Sequence, residues 1–294
     1  MIQKKVFLFV LLVGMLSLAA CGDKTETPDK DGPFFGGSSG LQVAFLEEAP
    51  IDQFGELDTV PVTIEIINTG ESDVNAGDAK IKLFGLDYES FGLSTDFKAS
   101  TKTLRGQSEL FPEGGKQEIQ MGDATYKFSI RNSEEFIFKG KICYPYTTEM
   151  RTDICLSSKL QEEGREKVCE IEGEKVKSGT VSGGPVQVTS VTESLRAADQ
   201  IRFDITIQNK GNGDVFNPAT TCDEIEDDFK RLKEKDKVEV EIIQPTGVQC
   251  NFVETETNKG IVELDGGSTI LTCWMTVDET IKAKLNLRVS YRYV

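Results

Sequence analysis

Apolar residues at every second position constrain this chain more than any other feature in it. Val60, Val62, Ile64 and Ile66 alternate with Pro61, Thr63 and Glu65, and Ile81 and Leu83 with Lys80 and Lys82. Tyr126, Phe128 and Ile130 alternate with Lys127 and Ser129. Further on, Ile201, Phe203, Ile205 and Ile207 stand against Arg202, Asp204, Thr206 and Gln208. Near the end, Leu285, Leu287, Val289, Tyr291 and Tyr293 stand against Lys284, Asn286, Arg288, Ser290 and Arg292. A strand sends successive side chains to opposite faces, so each run reads as a strand with one buried face. One segment differs. Between Ala219 and Lys237, Ile225, Phe229 and Leu232 fall at spacings of four and three, and Glu226 and Asp227 precede Lys230 and Arg231 by four. That pattern predicts a helix with its acidic run on a solvated face. An all-β fold of packed sheets follows.

The strand-rich sequence falls into two stretches, 41–178 and 185–294, separated by the breaker-rich SGTVSGGP of Ser178 to Pro185. The halves share a motif. Asn68-Thr69-Gly70-Glu71-Ser72-Asp73-Val74 matches Asn209-Lys210-Gly211-Asn212-Gly213-Asp214-Val215, each preceded by an isoleucine-rich strand. Tyr144-Pro145-Tyr146 likewise answers Tyr291-Arg292-Tyr293, in the same order along the chain. Asn68, Gly70, Asp73 and their counterparts Asn209, Gly211 and Asp214 read as a turn leaving a sheet, with Asn and Gly tolerating positive φ. Between Leu86 and Lys116 the alternation lapses. A stretch that long is either functional or a loop folded over one end of a sandwich.

The duplicated Asn-x-Gly-x-x-Asp-Val turn resembles that of CARDB-like repeats on archaeal and bacterial surface proteins. The resemblance implies two tandem immunoglobulin-like β-sandwich domains. Three cysteines per half depart from that family's usual pattern.

Residues 1–20 have the layout of a signal peptide. Lys4 and Lys5 precede the uncharged apolar run Val6 to Ala20, about 22 Å of helix and short of the roughly 30 Å of a bilayer core. Leu18-Ala19-Ala20-Cys21 resembles the lipobox of prokaryotic lipoproteins, which implies lipid on Cys21 and a place on the extracytoplasmic face of the cell membrane. Residues 21–40, polar and glycine-rich, read as a flexible tether.

The formal charge of −16 opposes binding to nucleic acid, and the chain has no histidine. Histidine-based triads and zinc sites are therefore excluded, no cofactor or metal is expected, and no catalysis is expected. With Cys21 assigned to lipid, Cys143, Cys155, Cys169, Cys222, Cys250 and Cys273 form an even set, which reads as a disulfide framework. Connectivity stays open. A hairpin centred on Glu149 would pair Cys143 with Cys155, and one centred on Gly164 would pair Cys155 with Cys169. Because three cysteines lie on each side of the boundary, full oxidation within one chain requires a bond between the halves, with Cys169 the expected donor. Alternation sends Leu271, Cys273 and Met275 to one face and Trp274 to the other. The expected function is a lipid-anchored surface spacer and binding module, with an envelope protein or glycan as ligand. A solute- or glycan-binding lipoprotein serving a transporter or adhesion is the alternative. A carboxylate-pair hydrolase would need two acids roughly 5–10 Å apart in a cleft.

Overall fold

The computed structural model describes residues 32–157, 168–197, 199–252 and 256–294; the signal segment and Cys21 lie outside the described residues. Strand accounts for 48% of the structure and helix for 6%, which makes the fold all-β. Three antiparallel sheets form it. One contains β1 (Leu41–Phe45), β2 (Val60–Asn68) and β5 (Lys116–Ala124), in the order β1-β2-β5. Another contains β7 (Val186–Ala197), β8 (Gln200–Asn209), β11 (Gln249–Asn251), β12 (Glu256–Thr257) and β14 (Ser268–Thr276), in the order β12-β11-β14-β8-β7.

The third sheet joins the halves. It includes β3 (Lys80–Leu83), β4 (Lys98–Ala99), β6 (Gly140–Leu156), β10 (Lys237–Gln244), β13 (Lys259–Glu263) and β15 (Ile281–Tyr293), with β9 (Val215–Phe216) beside β15. Its order, β13-β10-β15-β6-β3-β4, reads the same from either end once repeat-equivalent strands are matched. β6 and β15 pair in unbroken register from Leu156↔Ile281 to Tyr144↔Tyr293. Tyr146 lies opposite Tyr291, and Pro145 opposite Arg292. The Tyr144–Tyr293 and Tyr146–Tyr291 pairs map onto each other when the halves are exchanged, and the Pro145–Arg292 pair maps onto itself. The tyrosine end of the seam therefore has the self-complementary form of a two-fold interface, while the ladder from Thr147 to Leu156 lies on one side of that centre. One continuous core runs across it, from Val62, Ile64 and Ile66 to Leu285, Leu287 and Val289.

Several expectations are corrected. Lys141 to Leu156 is a single strand, because Thr147 and Thr148 favour extended backbone and nothing at Glu149 supplies turn chemistry. Tyr126, Phe128 and Ile130 lie in irregular chain after β5, where ring contacts hold Tyr126 and Phe128 in place of a ladder. The helix shrinks to α1 (Asp228–Glu234), capped by Asp227, whose carboxylate accepts the Lys230 N–H at 2.9 Å. Ile225 is buried in the turn before it, while Phe229 and Leu232 are exposed. The acidic run is spent on the other half: Asp223 pairs with Lys80 at 2.7 Å, and Glu226 with Lys82 at 2.8 Å and Lys141 at 2.6 Å.

Residues 179–185 are buried. Arg151 N–H donates to Thr180 O, and Ser182 N–H to Glu149 O, so this stretch runs beside β6. Gly32 to Gly40, expected within the tether, lies against both halves. Phe34 N–H donates to Gly179 O and Thr69 N–H to Gly40 O, while Glu71 accepts from the N–H groups of Phe35, Gly36 and Gly183. The stretch from 86 to 116 runs from the open-end aromatics, through β4, to the motif turn, where Leu104 and Val74 exchange N–H···O bonds, and it buries Tyr88, Phe91, Leu93 and Leu104.

The six described cysteines pair as Cys143–Cys222, Cys155–Cys169 and Cys250–Cys273. A bond does cross the halves, but its donor is Cys143. Cys169 returns to Cys155 within its own half, across a separation of 14 residues. Cys143 faces away from Tyr144, onto the segment carrying Phe216, Cys222 and Ile225, which packs over the shared sheet. Replacing Cys143 and Cys222 together by Ser is expected to lower the unfolding free energy by about 2–4 kcal/mol in urea titration. Non-reducing peptide mapping of the wild type should recover the Cys143–Cys222 peptide.

Candidate functional site

The two motif copies flank the tyrosines of the seam and share a set of bonds. Asn68 and Asn209 each donate through Nδ2 to a carbonyl four residues on, Ser72 O at 2.7 Å and Gly213 O at 2.9 Å. Each Oδ1 accepts the N–H of the motif glycine at 3.2 Å. Tyr146 and Tyr293 then take the N–H groups of Ser72 and Gly213, while Tyr144 and Tyr291 take those of Leu41 and Val186, which open β1 and β7. The four rings pack edgewise or tilted at 5.7–6.3 Å between centroids. Burial holds the Tyr144, Tyr146 and Tyr291 hydroxyls above the usual tyrosine value. The motif is thus structural.

Its glycines serve close approach. Neither Gly70 nor Gly211 adopts positive φ, but a Cβ on either would strike the hydroxyl of Tyr146 or Tyr293. The aspartates differ: Asp73 accepts the Gly106 N–H, and Asp214 pairs with Lys235. Gly211→Ala is expected to cost about 1–3 kcal/mol in chemical denaturation. A double-mutant cycle with Tyr293→Phe should show coupling between the two sites.

Trp274 is half-buried under the guanidinium of Arg196, 4.4 Å from its ring centre, while Leu271 and Cys273 on the opposite face are buried.

Two clefts flank this frame. One, of about 650 Å³, lies beside the paired ends of β6 and β15, against the Cys155–Cys169 bond. Its walls mix Arg151, Lys282 and Lys284 with Asp153 and Glu174. Behind them is a buried pair that sequence reading missed. Lys175 Nζ lies 3.0 Å from Glu193 Oε2, and Glu193 also accepts the Cys155 N–H at 2.9 Å. Burial pushes the Glu193 carboxyl up to about 7, although Lys175 and the Cys155 N–H pull it down. The bulge between Val188 and Ser190 resets the register of β7, after which Val191 and Leu195, two residues either side of Glu193, mark it as inward.

The other cleft, of about 880 Å³, lies at the open end of the first half. Residues 46–59 and 125–139 form it, with Phe54, Tyr126, Phe136 and Phe138 as walls and Phe91 packed behind. Its rim carries Asp52, Glu56, Glu134 and Glu135 and no basic residue. Among the described residues, no group of three or more metal-ligating side chains is gathered anywhere. Comparison with protein families, curated proteins and solved structures finds no match.

Glu193 has a consequence for stability. Its native carboxyl stays protonated between its ordinary value of 4.5 and about 7, where the unfolded chain has already released that proton. Its contribution therefore falls as pH rises through that window. With no histidine, no imidazole titrates there. Asp153, held below its ordinary value by hydrogen bonds from Lys282 and Lys284, acts below the window. The urea midpoint is expected to drop from pH 5 to pH 8. In Glu193→Gln the drop should vanish.

Proposed function

We propose that this chain is a lipid-anchored protein of the extracytoplasmic face, built from two tandem immunoglobulin-like sandwiches of the CARDB-like kind. It serves the envelope as a stiff spacer and binding module, without a catalytic role. The observation carrying this reading is the seam. The β6–β15 ladder, the Cys143–Cys222 bond and the buried 179–185 stretch hold the halves together, as suits a spacer rather than a hinged capture device. Three disulfides accord with an oxidising compartment. A specific observation also favours the alternative of a solute-binding lipoprotein: the aromatic cleft has the size of a small-ligand site.

Cys21→Ser tests the anchor. The variant is expected to leave the membrane fraction or to accumulate as unprocessed precursor. A variant that is processed and still fractionates like the parent would overturn the lipid anchor.

A further inference from the structure

The repeat supplies an internal control for which parts of the first half the fold requires. In the second half, β7 passes to β8 through residues 198–199 and β14 to β15 through residues 277–280. The equivalent connections in the first half are residues 46–59 and 125–139, and together they wall the aromatic cleft. One half closes the same sheets with connections of two and four residues, so folding does not demand the long loops. Long loops without a folding duty are where binding residues concentrate.

The cleft's chemistry is also one-sided. Tyr126 and Phe136 stand 5.1 Å apart at its wall, with Phe54 and Phe138 beside them. Ile51 and Ile137 are exposed at 41% and 65%, so apolar surface is open to solvent here. None of the four rim carboxylates forms an ion pair among the described residues, unlike the acids of the seam. The cleft beside Cys155–Cys169, by contrast, is lined by five basic residues, so the chain's general acidity does not account for the difference. Aromatic faces attract cations, and uncompensated carboxylates around an apolar floor do so at longer range.

We propose that this end cleft binds a small organic cation with an apolar body, its ammonium or guanidinium group among the rim carboxylates and its body against Phe54, Tyr126 and Phe136. The volume of about 880 Å³ falls within the range of small-molecule sites. The inference rests on the binding part of the function proposed above and does not involve Cys21.

The test uses the full chain purified in detergent and three probes sharing one apolar body: 4-phenylbutylammonium, 4-phenylbutanol and 4-phenylbutyrate. Binding is read by saturation-transfer NMR and equilibrium dialysis. The ammonium probe should bind at least about tenfold more tightly than the alcohol, and the carboxylate should not bind. Glu134→Gln with Glu135→Gln, both exposed and so without folding cost, should remove that preference. Tyr126→Ala should weaken both the ammonium and the alcohol. Lys282→Gln with Lys284→Gln, at the other cleft, should change nothing. Equal binding of all three probes, no binding of the ammonium, or a preference that survives loss of both glutamates would overturn the proposal. Membrane fractionation of the expressing cells before detergent extraction separates the two readings. Probe binding by a chain that never reaches the membrane overturns only the anchor, and a membrane-bound chain that ignores the probe overturns only the cleft.

Discussion

Pairing of β6 with β15 is the constraint on which the rest of this structure depends. Each strand ends its own half, and each without the other would present a long unpaired edge lined on one face by tyrosine, leucine and valine. Exposed edges of that kind recruit other chains. Joining the two equivalent edges removes both at once. Within each half the tyrosine hydroxyls satisfy N–H groups at the start of β1 or β7 and in the motif turn, and a buried N–H left without such a partner costs about 1–3 kcal/mol. Across the seam the ladder sets the register, and Thr148 Oγ1 meets the Tyr291 hydroxyl at 3.0 Å.

The link between the halves is short on side chains for the same reason. Gly183 and Gly184 pass so close to the seam that a Cβ on Gly184 would lie 2.6 Å from Thr148 Oγ1. In the sequence these residues read as a breaker-rich boundary. In the fold they are a buried strip whose small size lets the chain cross the joint. Glu71 reinforces the strip by gathering N–H groups from Phe35, Gly36 and Gly183. In the second half the segment before β7 docks through Pro185 O, which accepts the N–H groups of Lys210 and Gly211.

Alternation made the β2, β8 and β15 strands legible, because a buried face on a wet-sided sheet repeats every two residues. It misled at Tyr126 to Ile130, where aromatic residues spaced by two lock onto Phe91 and Phe136 through ring contacts. Helical spacing misled at Phe229 and Leu232 because the capping Asp227 shortens the helix and Ile225 alone reaches the core. Counting cysteines by half showed that a bond must cross, but not which one. That depends on which face of β6 Cys143 occupies and on a segment near Cys222 that packs over it. Both clefts were invisible for a related reason, since each assembles residues far apart in sequence, as Phe54 with Phe136 or Lys175 with Glu193.

Duplication followed by joining also explains where the halves were free to diverge. Residues at the seam answer to both copies, and there Asn68 and Asn209 share two hydrogen bonds, to the carbonyl four residues on and from the motif glycine, while Asn68 adds Leu104 O and the Tyr146 hydroxyl. Away from the seam each half answers only to itself. The second half spends its extra length on β11, β12 and the segment from Cys222 to Glu234, which reaches back through Asp223 and Glu226 to clamp the first. The first half has its own on loops at the open end, where the cleft they wall is lined by first-half residues alone. Added chain in one copy tightens the joint, and added chain in the other builds a cleft. That division places the binding site proposed above away from the elements that hold the halves together.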